Sequence, residues 1–231
     1  MKKLIFKYLL EFLVIVIGIS LSFYLEKQNA QEYKESLKNQ SLQRIAKNIK
    51  IDIRDSRLNL SIHDSAVIAG NWLEKNWESQ IADNRDSIGF YLNIVTNYNS
   101  IFVDNQEEYR ALQNSGLIEL IENEKLVSGL QNKYSAHAFY KEIEKYITSG
   151  KDDLIDFLYE NTVLNSYQKN RFEIYRDRKY IGPEPIPNKV RQLLLNTIPM
   201  HEFYIGQINI QLKNNEYLLD LIQKETQNAT N

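Results

Sequence analysis

The sequence predicts an all-α protein: an N-terminal transmembrane helix that continues into a long helix, followed by an antiparallel helical bundle. Three observations carry that expectation. Apolar residues run almost unbroken from Leu4 to Tyr24, with only Lys7 and Glu11 charged. Only 8 Gly and 4 Pro occur in 231 residues, few turn formers for a chain of that length. Beyond the first run, apolar side chains keep recurring at steps of three and four, the period of a helix face.

The Leu4–Tyr24 run meets the roughly 20 residues that a bilayer core about 30 Å thick requires at about 1.5 Å per residue. A cleaved signal peptide is the rival reading, but the run reaches Phe23 and Tyr24 without a small-x-small cleavage site and exceeds the roughly 7–15 residues of a signal core. Lys2, Lys3 and Lys7 crowd its N-terminal side, whereas Lys27 on the far side stands next to Glu26. That bias predicts a single-pass anchor with the N-terminus cytoplasmic and the body outside the cytoplasm. The expected layout is a cytoplasmic tail (1–3), the transmembrane helix (4–24), a polar stalk (25–41), an extracytoplasmic helical domain (42–224) and a frayed tail (225–231).

Within the anchor, Lys7, Glu11, Ile15, Gly18 and Ser22 follow one another at steps of three or four and share a helix face. Gly18-x-x-x-Ser22 is a small-xxx-small spacing that lets helix backbones approach, and a carboxylate in lipid is costly without a partner. The face reads as a contact with a second transmembrane helix; alternatively Glu11 pairs with Lys7 one turn back or snorkels to the headgroups.

From Leu25 to Ala82 there is no Pro and a single Gly, so the helix is expected to continue outward, on the order of 80 Å if unbroken. A break between Gln28 and Ser41 is equally allowed. Leu42, Ile45, Ala46, Ile49 and Ile53, then Ile62, Ala66, Ala69, Leu73 and Trp77, are apolar, but too irregularly spaced for a sustained heptad; they read as one bundle helix with Trp72 and Trp77 as core anchors. A polar break at Asp83–Asp86 precedes a short apolar helix, Ser87–Tyr98. Asp104, with Glu107 three residues on, reads as the cap of a helix to about Gln113. Ser115-Gly116 ends that helix, Leu117–Ile121 connect, and Asn123 caps the next, making a tight structural corner. Helical patterning resumes from Lys141 to about Tyr167, interrupted at Ser149-Gly150 with Asp152 or Asp153 restarting it. Gly182–Pro187 is a stiff extended linker, and Asn188–Ile198 and His201–Lys224 read as two helices broken at Pro199.

The corner, Tyr109-Arg-Ala-Leu-Gln-Asn-Ser-Gly-Leu-Ile-Glu-Leu-Ile-Glu-Asn-Glu-Lys-Leu126 followed by Leu130 and Tyr134, resembles the central motif of an uncharacterised family of single-pass membrane-anchored proteins common in Bacteroidetes. The family begins with a segment similar to Glu11–Ile19. The resemblance implies an inner-membrane protein with a helical domain and carries over no catalytic residue, substrate or activity.

Chemistry is sparse. Without Cys there are no thiol nucleophiles, disulfides or zinc-thiolate sites, and a net charge of −2 gives no field that would attract nucleic acid. No HExxH, P-loop, GxGxxG or GxSxG spacing occurs, so no catalytic residue, cofactor or metal is expected. His63, His137 and His201 are isolated in sequence and read as surface or interface residues; Asp52 with Asp55, and Glu142 with Lys145, read as solvated helix faces. Gln168–Ile181 mixes Lys169, Arg171, Arg176, Arg178 and Lys179 with Phe172, Tyr175 and Tyr180, a pattern that can serve nucleic acid or headgroups but is diluted by Glu173 and Asp177 and reads as an irregular connection. A DNA-binding helix-turn-helix at the corner is disfavoured because Glu122 and Glu124 open its second helix. The expected partners are the lipid bilayer and a protein, another copy or a membrane complex, met through the anchor, and no nucleic acid. The two functional expectations are a non-enzymatic interaction or scaffold protein and an accessory subunit of an ion-gradient-coupled membrane complex using Glu11.

Overall fold

The computed structural model describes residues 2–165 and 178–228. The order of elements is α1 (Lys2–Gln80), α2 (Arg85–Asn97), α3 (Glu107–Asn114), a 3-10 turn (Leu117–Leu120), α4 (Glu124–Ser135), α5 (His137–Ser149), α6 (Asp152–Asn161), β1 (Thr162–Leu164), β2 (Arg178–Tyr180) and α7 (Asn188–Asn228). The all-α expectation holds: a long N-terminal helix is followed by a helical bundle, with one short two-stranded ribbon added. Lys169, Arg171, Phe172, Tyr175 and Arg176 of the basic and aromatic segment lie outside the described residues. The chain divides into two compact units, one of Met1–Lys47, Gln106–Ser128 and Asp220–Asn231, the other of Asn48–Asn105 and Gly129–Leu219.

In the first unit α1 is unbroken where a break was allowed. Side-chain bonds one turn apart, Gln28 to Glu32 (3.3 Å), Gln31 to Glu35 (3.4 Å) and Gln40 to Ser36 (3.3 Å), brace its polar stretch. The corner forms as its residues dictate. Gly116 adopts φ 72°, the left-handed conformation that ends α3, and the Ser115 hydroxyl donates to the Ala111 carbonyl at 2.8 Å. Asn123 Oδ1 accepts from the Lys125 and Leu126 amides at 3.1 and 3.3 Å, capping α4. Lys38, buried on α1, lies 2.7 Å from Glu35 and donates to the Leu120 carbonyl at 3.2 Å; Glu225, 3.5 Å from Lys38, accepts the Glu122 amide at 3.2 Å.

Along α1 the buried positions correct the expectation of an irregular repeat. Lys38, Leu42, Ile45, Ile49, Asp52, Ser56, Asn59, His63, Ala66, Gly70, Leu73 and Trp77 are all buried and alternate in steps of four and three. This is a sustained heptad whose middle positions are polar, which is why apolar spacing alone does not reveal it. Helix α7 carries the same repeat from Val190 and Leu194 through His201, Tyr204, Ile208, Gln211 and Asn215. Within the second unit the two helices run antiparallel, since Glu78 pairs with Arg191 and His63 with His201, while Arg57 meets Glu216.

Two further expectations are corrected in this unit. Helix α7 continues through Pro199 instead of breaking there. Pro199 and Leu195, whose carbonyl the missing N–H would have bonded, are both on the exposed side, so water can take that carbonyl while Ile198 and His201 stay packed. The helical pattern after Lys141 stops at Asn161, and Thr162–Leu164 pair antiparallel with Arg178–Tyr180 in the register Thr162 to Tyr180. Arg178 Nη1 donates to Thr162 Oγ1 at 2.8 Å, and the buried Tyr180 ring meets Trp77 edge-on at 5.2 Å. Trp77, Leu73, Leu92, Leu154, Leu158 and Leu194 complete that core, and Trp72 stacks on Tyr91 at its margin. Helix α2 lies against β2 so closely that a Cβ on Gly89 would fall on the Arg178 carbonyl. Gly89→Ala should therefore destabilise the protein by about 1–3 kcal/mol, read as a lower thermal midpoint with helix content retained.

Candidate functional site

The chemistry-bearing side chains of the second unit converge on one irregular segment, residues 98–106, which crosses between α2 and α3 without secondary structure. Phe102 is buried in it, and where such a segment is buried its peptide groups need side-chain partners. The partners come from α1, from α5 and from Lys151 in the turn between α5 and α6. Lys151 Nζ donates to the Tyr98 carbonyl at 3.1 Å, and Asn99 Nδ2 donates to Thr148 Oγ1 at 2.9 Å. The Phe102 amide donates to Glu144 Oε1 at 2.6 Å, and Lys141 Nζ donates to the Phe102 carbonyl at 2.5 Å. The Val103 amide donates to Asp55 Oδ2 at 3.3 Å, and Asp104 meets His137 Nδ1 at 2.6 Å. The Phe102 side chain is fully buried among Tyr140, Ile143, Ile147, Tyr204 and Ile208.

Helix α3 starts at Glu107, so Gln106 and not Asp104 stands at its cap position, and the Gln106 side chain makes no capping bond. The Asp104 carboxylate is enclosed by the fold and lies against His137. The expectation that the three histidines stand alone is overturned too. His63 Nδ1 lies 2.7 Å from His201 Nδ1, both rings fully buried, and the His63 ring packs on Tyr204 with centroids 4.5 Å apart. His63 Nε2 faces the Ser100 carbonyl at 3.4 Å, so it carries the proton and donates there. Nδ1 of His63 must then accept from Nδ1–H of His201. This leaves His201 Nε2 a lone pair that is buried with no partner among the described residues.

That arrangement requires two neutral rings, and the surroundings enforce it. Burial holds His63 down to about 4 and His201 down to about 2, with the neighbouring charge of Lys151 adding to both shifts. Burial likewise lowers Lys151 to about 7. The Tyr204 hydroxyl donates to Glu144 Oε1 at 2.7 Å; burial first, then that bond, raise its pKa. Glu144 also takes Lys141 Nζ at 2.9 Å on Oε2, so three donors converge on it.

Asp52 is not on a solvated face. It is buried and 2.7 Å from Lys133 Nζ, with burial pushing its carboxyl up and Lys133 opposing. Glu142 and Lys145 are exposed, and Asp152 and Asp153 occupy the first turn of α6. Near Asp52 on the same helix pair, Ser56 Oγ, Gln211 Oε1 and both amide atoms of Asn215 are buried without partners among the described residues. The polar run at heptad positions 52, 56, 59 and 63 is the signal in the sequence that could have located this interior.

In the first unit, Lys7, Glu11, Ile15, Gly18 and Ser22 all lie on the exposed surface of α1. Lys7 Nζ is 3.8 Å from Glu11 Oε1, and a Cβ on Gly18 would meet nothing. α1 is the described helix long and apolar enough to cross a bilayer, and its apolar stretch is wholly unburied. Among the described residues no three His, Cys, Asp or Glu side chains are placed to hold a metal ion. Chemically the converging groups fasten a loop: Glu144, His63, His201 and Lys151 are enclosed and directed at the chain's own peptide groups or at one another. Comparison with models of known families, with curated proteins and with solved structures finds no match.

The buried bases make stability depend on pH. The unfolded chain protonates histidine near pH 6.5 while the folded chain resists it, so stability should fall as pH drops from about 6.5 toward 4, by up to about 1.4 kcal/mol per pH unit for each ring. His63→Gln/His201→Gln should flatten that limb of a melting-temperature profile. For Lys151 the unfolded chain holds a proton that the folded chain releases near 7, so stability should rise between about pH 7 and 10.5, and Lys151→Met should remove the rise.

Proposed function

We propose that this chain is a non-enzymatic, membrane-anchored interaction protein. Its N-terminal helix spans a bacterial inner membrane, and its helical domain, held outside the cytoplasm, assembles with another copy or with a larger membrane complex. The observation that carries the reading is the fully exposed apolar stretch of α1, where Phe6, Phe12, Leu13, Ile17 and Phe23 have no protein to cover them. Lipid is the solvent that suits such a surface. The enclosed polar interior supports a non-catalytic role, since its carboxylate and imidazoles are spent on internal bonds. The likeness of the Tyr109–Leu126 corner and of Glu11–Ile19 to the Bacteroidetes family belongs to the same reading. Against an accessory subunit driven through Glu11 stands the pairing of Glu11 with Lys7, which supplies the carboxylate with a counter-charge in its own helix.

The test is fractionation of cells making the full chain with a C-terminal tag. The chain should stay in the membrane pellet after alkaline carbonate washing, and protease should reach the tagged domain only once the outer membrane is opened. Release by carbonate, or digestion from the cytoplasmic side of inverted vesicles, would contradict the anchor or its orientation. Glu11→Gln should leave complex assembly intact; loss of a gradient-dependent output with assembly unchanged would favour the accessory-subunit reading.

A further inference from the structure

Helix α7 has a second stripe, on the side away from its buried repeat. Phe203, Ile210 and Tyr217 recur every seven residues, two positions after the buried His201, Ile208 and Asn215, and each is about half exposed. Gly206 lies between the first two with nothing near the place of a Cβ. Phe139 of α5 meets Phe203 with ring centroids 6.4 Å apart, and Tyr146, two turns further along α5, is 69 % exposed. These positions of a heptad are ordinarily polar, so three successive apolar residues there mark a second helix seam.

We infer that the α5/α7 face of the second unit binds a second copy of this chain, with the two α7 helices parallel and Phe203, Ile210 and Tyr217 each meeting its own counterpart. This deepens the proposed function and rests on its anchored reading: copies held by the same helix in one membrane share a direction, so a parallel pairing is the one available to them. The area fits. At about 150–250 Å² for each full side chain, the exposed parts of Phe139, Tyr146, Phe203, Ile210 and Tyr217 come to about 500 Å² per copy. Two copies would cover about 1,000 Å², where specific dimers begin. The flanks fit as well. A parallel seam sets Glu202 beside the partner copy's amide at position 207 and Asn209 beside its amide at 214, while the exposed Lys213, seven residues after Gly206, flanks its own counterpart on a side chain long enough to turn to solvent. Gly206 lets the backbones approach between the aromatic and aliphatic layers.

The chain has no Cys, so single cysteines report contacts without background. Phe203→Cys, Ile210→Cys and Tyr217→Cys, each in the full chain in native membranes, should all give disulfide dimers on mild oxidation, and the exposed Glu74→Cys on α1 should not. In mild detergent the unmodified chain should sediment as a dimer, and Ile210→Asp should weaken association at least about tenfold with melting temperature and helix content unchanged. Absence of cross-links above the Glu74→Cys control, or a monomer at all concentrations, would overturn the inference. Cross-linking at Ile210→Cys alone would mean an antiparallel crossing and would overturn the parallel register. A chain that is membrane-bound by carbonate washing yet fails these tests leaves the anchor reading standing and removes the second copy.

Discussion

The second unit depends on one contact, the 2.7 Å approach of His63 and His201 between two antiparallel helices. With both residues at buried heptad positions, their meeting fixes the register of α1 on α7. In that register Gly70 lies against Ile198, the His63 ring packs on Tyr204, and Arg57 reaches Glu216. A polar layer at a heptad core position costs stability and gains specificity, because a slipped register leaves a buried imidazole with no partner. Here the cost is concentrated in one stretch, flanked by Ala66, Leu73 and Trp77 on α1, where ordinary apolar layers resume.

That polar stretch has a second role, as the surface on which residues 98–106 are fastened. His63 reaches Ser100, Asp55 reaches Val103, and Glu144 and Lys141 take the two peptide groups of Phe102. Phe102 could not be buried without them, since each unmade buried peptide hydrogen bond would cost about 1–3 kcal/mol. The loop in turn inserts Phe102 between α5 and α7, so polar fastening and apolar packing support each other.

The architecture was legible in the sequence wherever one residue type has one physical consequence. The apolar Leu4–Tyr24 run, the scarcity of Gly and Pro, the left-handed Gly116 and the Asn123 cap read directly as helix, helix, stop and start. Reading failed where polar residues are buried. Asp52, Ser56, Asn59 and His63 look like a solvated face until their 4-3-4 spacing is set in phase with Leu42, Ile45 and Ile49 before them and Ala66 and Leu73 after. Pro199 misled for a related reason: the rule that Pro breaks helices assumes its freed carbonyl is buried, and here the exposed side takes it. The partnerships of His137 with Asp104 and of Glu144 with Tyr204 join residues 33 and 60 apart, and no local pattern encodes them.

The most direct measurement is amide hydrogen exchange at Phe102 and Val103 in the intact protein. If the Glu144 and Asp55 carboxylates fasten this loop, both amides are protected, Phe102 as strongly as those of α5 and α7, and Glu144→Ala frees Phe102 while the central amides of α7 stay protected. Exchange of Phe102 at the rate of an open loop in the unaltered protein would contradict the account.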